Sequence, residues 1–332
     1  LADLDSEDPA AIARSLAEID RRGLALISSW DHQAGDSLER ALRVGRVARD
    51  RGLPVVVNAN RLLHRFCNGD ESTAHVDEQG RPFFDFSFDP RVPIGCPFAL
   101  EGRLPEIRGR VERFADAYAA ASVAPLLVFA DWEIDGPLDG NGAWDAARRC
   151  VRCRERLPAL EDHGAFRAAI RARRASLQRR AFVEPLRRRF PEVLAGNYAV
   201  HPHDGWRRWY DWFETLAPDA PFRADRRAKI RPWGDEFTGS GYTVAMPVLY
   251  TWYPTFSWYD FPESDYRWFY PLLLEASAAG RATPAEVPLI PFVHWHTASP
   301  PLRPDPAVRQ MSAGAWQELL WHVLLRGART FF

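Results

Sequence analysis

The chain has 332 residues, of which 46% are hydrophobic and 26% are charged, and its formal net charge at pH 7 is −1. These values are typical of a folded globular protein, and without a basic excess they argue against a nucleic-acid-binding protein. No apolar run approaches the ~20 residues that span a bilayer, so we expect no membrane partner. The chain starts at Leu1 rather than Met, which is compatible with a cleaved or trimmed start; the compartment stays open, with a secreted or periplasmic one favoured.

Short apolar runs alternate with segments of helical periodicity, which is the pattern of a parallel sheet with crossover helices. The first helix is predicted to begin after the N-cap Asp8 and to end at Gly23, and the second helix to end at Gly52. The seven predicted strands cover 24–30, 54–60, 125–133, 193–200, 243–250, 287–295 and a last segment from Arg329. The arginines of the helical region that includes Arg171 and Arg174 are expected on a solvated face.

A long loop at about 61–103 interrupts this alternation, and loops of such length inside a domain are usually functional. No Gly-rich phosphate loop follows any predicted strand, which disfavours a dinucleotide-binding fold. Polar and aromatic residues instead gather at the carboxyl ends of the strands, where barrel enzymes build their active sites. We therefore predict an α/β fold, a single TIM-like (β/α) barrel domain over 1–332 with seven or eight strands.

The third predicted strand ends in Asp131-Trp132-Glu133. Because side chains alternate between the faces of a strand, Asp131 and Glu133 point to the same side, into the barrel mouth. Two neighbouring carboxyls do not both ionise easily, so one should keep its proton near neutral pH. We assign Glu133 as the proton donor and Asp131 as the orienting carboxylate, the alternative being a structural ion pair with an arginine.

Aromatic residues are concentrated around 206–213 and 250–268, and their flat apolar faces can stack on sugar rings. We expect Trp252, Tyr253, Trp258 and Tyr259 to form a sugar platform, the alternative being that they fill the core. Further residues at strand ends complete the predicted substrate site: Trp30, Asn58, Asn60, Tyr198, His201, His203, Tyr250, His294 and Trp295.

The four cysteines are Cys67, Cys96, Cys150 and Cys153, and the last two form a Cys-x-x-Cys motif. Three interpretations stay open, namely a Cys₄ structural zinc, a disulfide between Cys67 and Cys96, and free thiols. The sequence does not rank them, so we assign no metal ligand and no cofactor.

The Asp131-Trp132-Glu133 segment resembles the catalytic signature of the hyaluronidase family of glycoside hydrolases, the animal and venom type. Segments 189–198 with Pro202, 246–250 with Tyr253-Pro254, and 288–292 resemble that family in the same order. The resemblance implies a barrel and substrate-assisted retention. Glu133 would protonate the glycosidic oxygen, while Asp131 would orient the acetamido group that attacks the anomeric carbon.

Together these features predict a glycoside hydrolase that acts on a poly- or oligosaccharide containing N-acetylhexosamine. One alternative is a retaining glycosidase with a separate carboxylate nucleophile, for which Asp235, Glu236, Asp260 and Glu263 are available. A second alternative is a non-catalytic carbohydrate-binding barrel, in which the aromatic rings bind sugar and the carboxylates only accept hydrogen bonds from hydroxyls.

Overall fold

A computed structural model of the protein describes residues 4, 6–63, 66, 69–89, 92–132, 141–157, 159–198, 200–202, 206–207, 229–230, 233–249, 266–294 and 311–332. Helices and parallel strands alternate through most of these residues, as the sequence pattern predicts. None of the helices described is both long enough and apolar enough to cross a membrane.

The strands are β1 (Ile27–Ser29), β2 (Val56–Asn58), β3 (His75–Val76), β4 (Pro82–Phe83), β5 (Asp85–Asp89), β6 (Val92–Ile94), β7 (Leu127–Ala130), β8 (Leu194–Asn197), β9 (Trp206–Arg207), β10 (Lys229–Ile230), β11 (Val248–Leu249) and β12 (Phe292–Val293). The helices are α1 (Pro9–Arg21), α2 (Ser37–Asp50), α3 (Asn60–Leu63), α4 (Leu104–Ala120), α5 (Asn141–Arg149), α6 (Val151–Arg156), α7 (His163–Gln178), α8 (Glu184–Arg189), α9 (Trp233–Ser240), α10 (Tyr266–Ala282) and α11 (Ala313–Leu325). A π turn at Arg179–Val183 joins α7 to α8.

The first helix begins and ends, and the second helix ends, where the sequence predicts. Asp8 accepts hydrogen bonds from the main-chain N–H groups of Ala10 and Ala11, at 2.9 and 3.2 Å, and thus satisfies donors that the first turn of α1 leaves free. Gly23 and Gly52 follow α1 and α2 with φ values of 71° and 68°, a conformation that glycine adopts without a Cβ penalty.

Four parallel strands form the main sheet in the order β1-β2-β7-β8. Further hydrogen bonds extend it, since Thr243 N–H donates to the Ala195 carbonyl at 2.9 Å and Ala245 N–H donates to the Pro288 carbonyl at 2.9 Å. Arg329 N–H then donates to the Leu289 carbonyl at 3.0 Å. The first six predicted strand positions therefore contain parallel strand or bridge pairing, and a parallel bridge at Ala328 lies next to the seventh.

Apolar side chains cover both faces of this sheet. On one face, side chains from six chain segments form an inner cluster of Val56, Leu127, Phe129, Val244, Met246 and Ile290, with Leu194, Phe292 and Phe332 packed against it. On the other face, alternate residues such as Val57 and Val128 pack under the helices. A Cβ on Gly196 would lie 2.6 Å from the Met246 sulfur, so glycine permits the close approach of β8 to the next segment.

The 61–103 segment contains more structure than the predicted loop. Its strands β3 and β4 form one antiparallel pair and β5 and β6 form another. Most of these strands have only two or three residues, which is too short for period-two alternation to be recognised in a sequence.

Candidate functional site

Asp131 follows β7 directly, on the face that carries Leu127 and Phe129 in the inner cluster. Main-chain pairing continues on both sides of this strand end, since Ala59 N–H donates to the Phe129 carbonyl at 2.7 Å and Tyr198 N–H donates to the Ala130 carbonyl at 2.8 Å. The Asp131 carboxyl therefore lies at the carboxyl end of a central strand, between the ends of β2 and β8. Parallel α/β sheets bind ligands at this end.

The Asp131 carboxyl is partly buried, and this burial raises its pKa to about 6. Its Oδ1 atom is buried and accepts no hydrogen bond from any described residue. Sequence reasoning expected one of the two carboxyls of the Asp-Trp-Glu segment to hold its proton, and favoured Glu133. Among the described residues, which do not include Glu133, the carboxyl whose pKa is raised is Asp131, and its burial is the cause.

Other predicted substrate-binding residues surround this strand end. The Tyr198 ring lies 5.2 Å from the Phe292 ring, in an edge-to-face contact above the inner cluster. Asn58 is half-buried, and its Oδ1 accepts a hydrogen bond from Asn60 N–H at 2.9 Å. The Asn60 Oδ1 is buried and has no partner among the described residues. Three residues predicted from the sequence thus lie at the ends of the strands that flank Asp131: Asn58 and Asn60 at the end of β2, and Tyr198 after β8.

His201 and His294 are held within the structure in different ways. The His201 ring is 1% exposed, and its Nε2 lies 3.4 Å from Oε1 of the buried Glu275 on α10. His294 follows β12, where its carbonyl accepts a hydrogen bond from the Trp316 indole at 2.9 Å. His201 therefore belongs to a buried pair rather than to an open cleft, which corrects its predicted role as a substrate contact.

Trp132, between the two carboxyl residues, is held by main-chain hydrogen bonds and by contacts of its ring. Its N–H donates to Asn197 Oδ1 at 2.9 Å, and its carbonyl accepts a hydrogen bond from Arg174 Nη2 at 3.0 Å. Its fully buried ring stacks on Phe66 at 4.8 Å, and the Arg174 guanidinium lies over the ring at 4.3 Å. Because both main-chain polar groups are bound, the backbone that carries Asp131 has little freedom to move.

A buried polar network supports this arrangement. Glu236 Oε1 accepts hydrogen bonds from Arg174 Nε at 3.0 Å and from Gln178 Nε2 at 2.7 Å. Gln178 Oε1 in turn accepts hydrogen bonds from Asn197 Nδ2 at 2.7 Å and from the Tyr242 hydroxyl at 2.9 Å. In such a network a buried ion pair also binds neutral partners, which offsets part of the cost of removing the charges from water.

This network corrects two sequence interpretations. Arg171 and Arg174 are 7% and 6% exposed, so the α7 arginines do not all occupy a solvated face. Glu236 is 1% exposed and paired with Arg174, which excludes it as the nucleophile of a retaining glycosidase. The pairing of Arg174 with Glu236 could not be read from the sequence, because the two residues are far apart along the chain.

Trp30 lies in the core rather than in a cleft. Its side chain is 0% exposed, stacks on Phe114 at 5.4 Å and meets the Tyr118 ring edge-on at 5.0 Å. The alternation of β1 places Trp30 on the helix side of the sheet, where α4 covers it. A ring without exposed surface cannot stack on a sugar, so its predicted role was wrong.

Several predicted site residues lie outside the described residues, and their roles stay predictions. These are Glu133, His203, Tyr250, Trp252, Tyr253, Trp258, Tyr259 and Trp295, together with Cys67 and the alternative nucleophiles Asp260 and Glu263. The side chain of Asp235 belongs to the same group.

A second cluster of reactive side chains combines three of the cysteines with a histidine that sequence reasoning did not select. His75, Cys96, Cys150 and Cys153 are all buried, and their candidate ligand atoms lie within 4.8 Å of one another. None of the three cysteines forms a disulfide with another described cysteine. His75 gave no signal in the sequence because it has no metal-motif spacing to any cysteine.

Comparisons of this chain with protein-family models, with curated proteins and with solved structures find no match.

Proposed function

We propose that this protein is a glycoside hydrolase whose active site lies at the carboxyl ends of its parallel strands, around Asp131 and Glu133. The observation that carries the proposal is the Asp131 carboxyl, which has a raised pKa and a buried oxygen without a partner among the described residues. Perturbed carboxyls of this kind are concentrated in active sites, because a purely structural carboxyl is normally paired. The rigid support of Trp132 matches the need of an active site for fixed geometry.

We further propose that the strands close into a TIM-like barrel. Two observations support closure: main-chain hydrogen bonds run on from Ala195 through Thr243, Ala245 and Leu289 to Arg329, and the inner cluster gathers side chains from six chain segments on one face of the sheet. In a barrel this face is the filled interior, and Asp131 and Tyr198 lie at its mouth.

In the proposed mechanism Glu133 donates its proton to the glycosidic oxygen as the bond to the anomeric carbon breaks. The acetamido oxygen of the N-acetylhexosamine attacks that carbon, and water later opens the cyclic intermediate. Ionised Asp131 accepts a hydrogen bond from the acetamido N–H, which makes the acetamido oxygen a better nucleophile and stabilises the positive charge that develops on the ring. This role follows the resemblance of the Asp-Trp-Glu segment to hyaluronidase-type hydrolases.

A panel of aryl glycosides tests the proposal, with and without a 2-acetamido group, together with polysaccharides that contain N-acetylhexosamine. We expect cleavage of substrates with the acetamido group, and inhibition by a thiazoline analogue of the cyclic intermediate. Equal cleavage of plain glycosides would overturn substrate assistance, and no cleavage of any substrate would overturn the hydrolase itself. Glu192→Gln is a matched control, because Glu192 is exposed and precedes β8 at the opposite end of the sheet.

A further inference from the structure

The sulfur atoms of the second cluster have the spacing of metal ligands. The Cys96 sulfur lies 3.7 Å from that of Cys153 and 3.9 Å from that of Cys150. A zinc–sulfur bond of about 2.3 Å gives a tetrahedron with edges of about 3.8 Å, which agrees with both distances. A disulfide would bring two sulfur atoms to about 2.05 Å, so the spacing is that of ligands around a shared centre.

A fourth ligand is present in the right place. The His75 ring is 1% exposed, and its ligand nitrogen lies within the same 4.8 Å limit as the three sulfur atoms. Its Nδ1 is buried without a hydrogen-bond partner among the described residues. A buried imidazole nitrogen without a partner costs free energy, which a metal ion or a hydrogen bond would offset.

Thiolates at this spacing need a cation between them. The sulfur atoms of Cys96, Cys150 and Cys153 are buried and close together, so three thiolates would repel one another strongly without a compensating charge. A divalent cation removes this conflict, because it binds the deprotonated form of each thiol.

We propose that His75, Cys96, Cys150 and Cys153 bind one structural zinc ion. Three thiolates and one imidazole around a closed, buried centre form the Cys₃His ligand set typical of structural zinc, with no position left for water or substrate.

The zinc site joins two parts of the chain that are far apart in the sequence. His75 lies on β3 and Cys96 follows β6, both within the 61–103 segment, whereas Cys150 and Cys153 belong to the start of α6. Arg152 supports the same junction, since its Nη1 donates to the Ala74 carbonyl at 3.0 Å. The ion would therefore link the 61–103 segment to α6 and add to the apolar contacts that already hold the two parts together.

The test is metal analysis of the purified full-length protein by mass spectrometry under reducing conditions. We expect about one zinc per chain, lost in Cys153→Ser but kept in the matched control Cys67→Ser. For ligand variants we expect a zinc affinity at least about 100-fold lower, since even second-shell changes cost 10- to 100-fold. If Cys153→Ser does not fold, exchange of wild-type zinc for cobalt gives an independent measurement, with expected thiolate-to-cobalt absorption and tetrahedral ligand-field bands.

Four results would overturn the assignment. They are a zinc-free protein whose thiols all titrate freely, iron in place of zinc, a Cys96–Cys153 disulfide, and loss of zinc in Cys67→Ser. None of these measurements uses glycosidase activity, so the zinc site and the proposed hydrolase function can fail separately.

Discussion

The replacement of Asp131 by Asn removes one negative charge from the strand end and keeps the shape of the side chain. Burial raises the pKa of this carboxyl from 3.8 to about 6 in the folded protein. The folded state then holds the proton more tightly than the unfolded chain, so the free energy of unfolding falls as the pH rises between these two values. A difference of about 2 pKa units at about 1.4 kcal/mol per unit gives a cost of roughly 3 kcal/mol above pH 7.

Thermal unfolding of the wild type and of Asp131→Asn at about pH 4 and about pH 8 measures this cost. At the lower pH both side chains are largely uncharged, so we expect similar midpoints. At the higher pH we expect the variant to be more stable by up to about 3 kcal/mol, or roughly 4 °C for a chain of this length. A carboxyl that lowers the stability of the protein at the pH at which it is ionised is expected in an active site and not in a structural ion pair.

Asp116→Asn is the control with the opposite sign. The hydrogen bond from Arg189 lowers the pKa of exposed Asp116, so this carboxylate stabilises the protein at neutral pH and loses that contribution as the pH falls. We expect Asp116→Asn to be slightly less stable than the wild type at pH 8, and we expect this difference to shrink as the pH falls below the usual range of an aspartate pKa. The reasoning for Asp131 would be refuted if the gap between Asp131→Asn and the wild type were independent of pH, or if the variant were less stable at pH 8.

Two further predictions concern the support and the pH profile of the site. Arg174→Met should lower the free energy of unfolding in urea by about 3–5 kcal/mol because it leaves Glu236 buried without its cation, and Arg174→Met/Glu236→Gln should recover part of the loss. The control is Arg188→Met at an exposed arginine, which should lower the free energy of unfolding by no more than about 1 kcal/mol. An equal loss in Arg174→Met and in Arg174→Met/Glu236→Gln would contradict the role of the ion pair. In the pH profile of kcat/KM, activity should fall below about pH 6 as Asp131 takes up its proton. Asp131→Asn should remove this acid limb. It should also move the basic limb, which reports the ionisation of Glu133, to lower pH, because the negative charge beside Glu133 is gone. An unmoved basic limb would show that the two carboxyls are not coupled.

Local rules predicted the elements of this fold well. The apolar runs at 24–30, 54–60, 125–133 and 193–200 contain the four strands of the main sheet, and the caps Asp8, Gly23 and Gly52 marked the ends of helices. These features depend on residues that are close in the sequence, so their geometry follows from the local backbone.

Features that depend on long-range contacts could not be predicted in the same way. Arg174 follows the helical pattern of a surface arginine, but it is buried because Glu236 and the Trp132 carbonyl lie opposite it. His75 has no motif spacing to Cys96 or Cys150, and only the fold brings the three together. Trp30 was misplaced because its polar neighbours suggested a strand end, whereas the strand turns its ring toward α4.

The measurement that tests the central claim most directly compares Glu133→Gln with the wild type and with Glu192→Gln, in an oligosaccharide cleavage assay and a binding titration. Glutamine keeps the size and most of the hydrogen bonding of glutamate but has no acidic proton for the leaving oxygen. We predict that Glu133→Gln loses hydrolysis by about 10²- to 10⁴-fold or more while sugar binding is nearly unchanged, and that Glu192→Gln keeps both. Wild-type turnover in Glu133→Gln would contradict the assignment of Glu133 as the general acid.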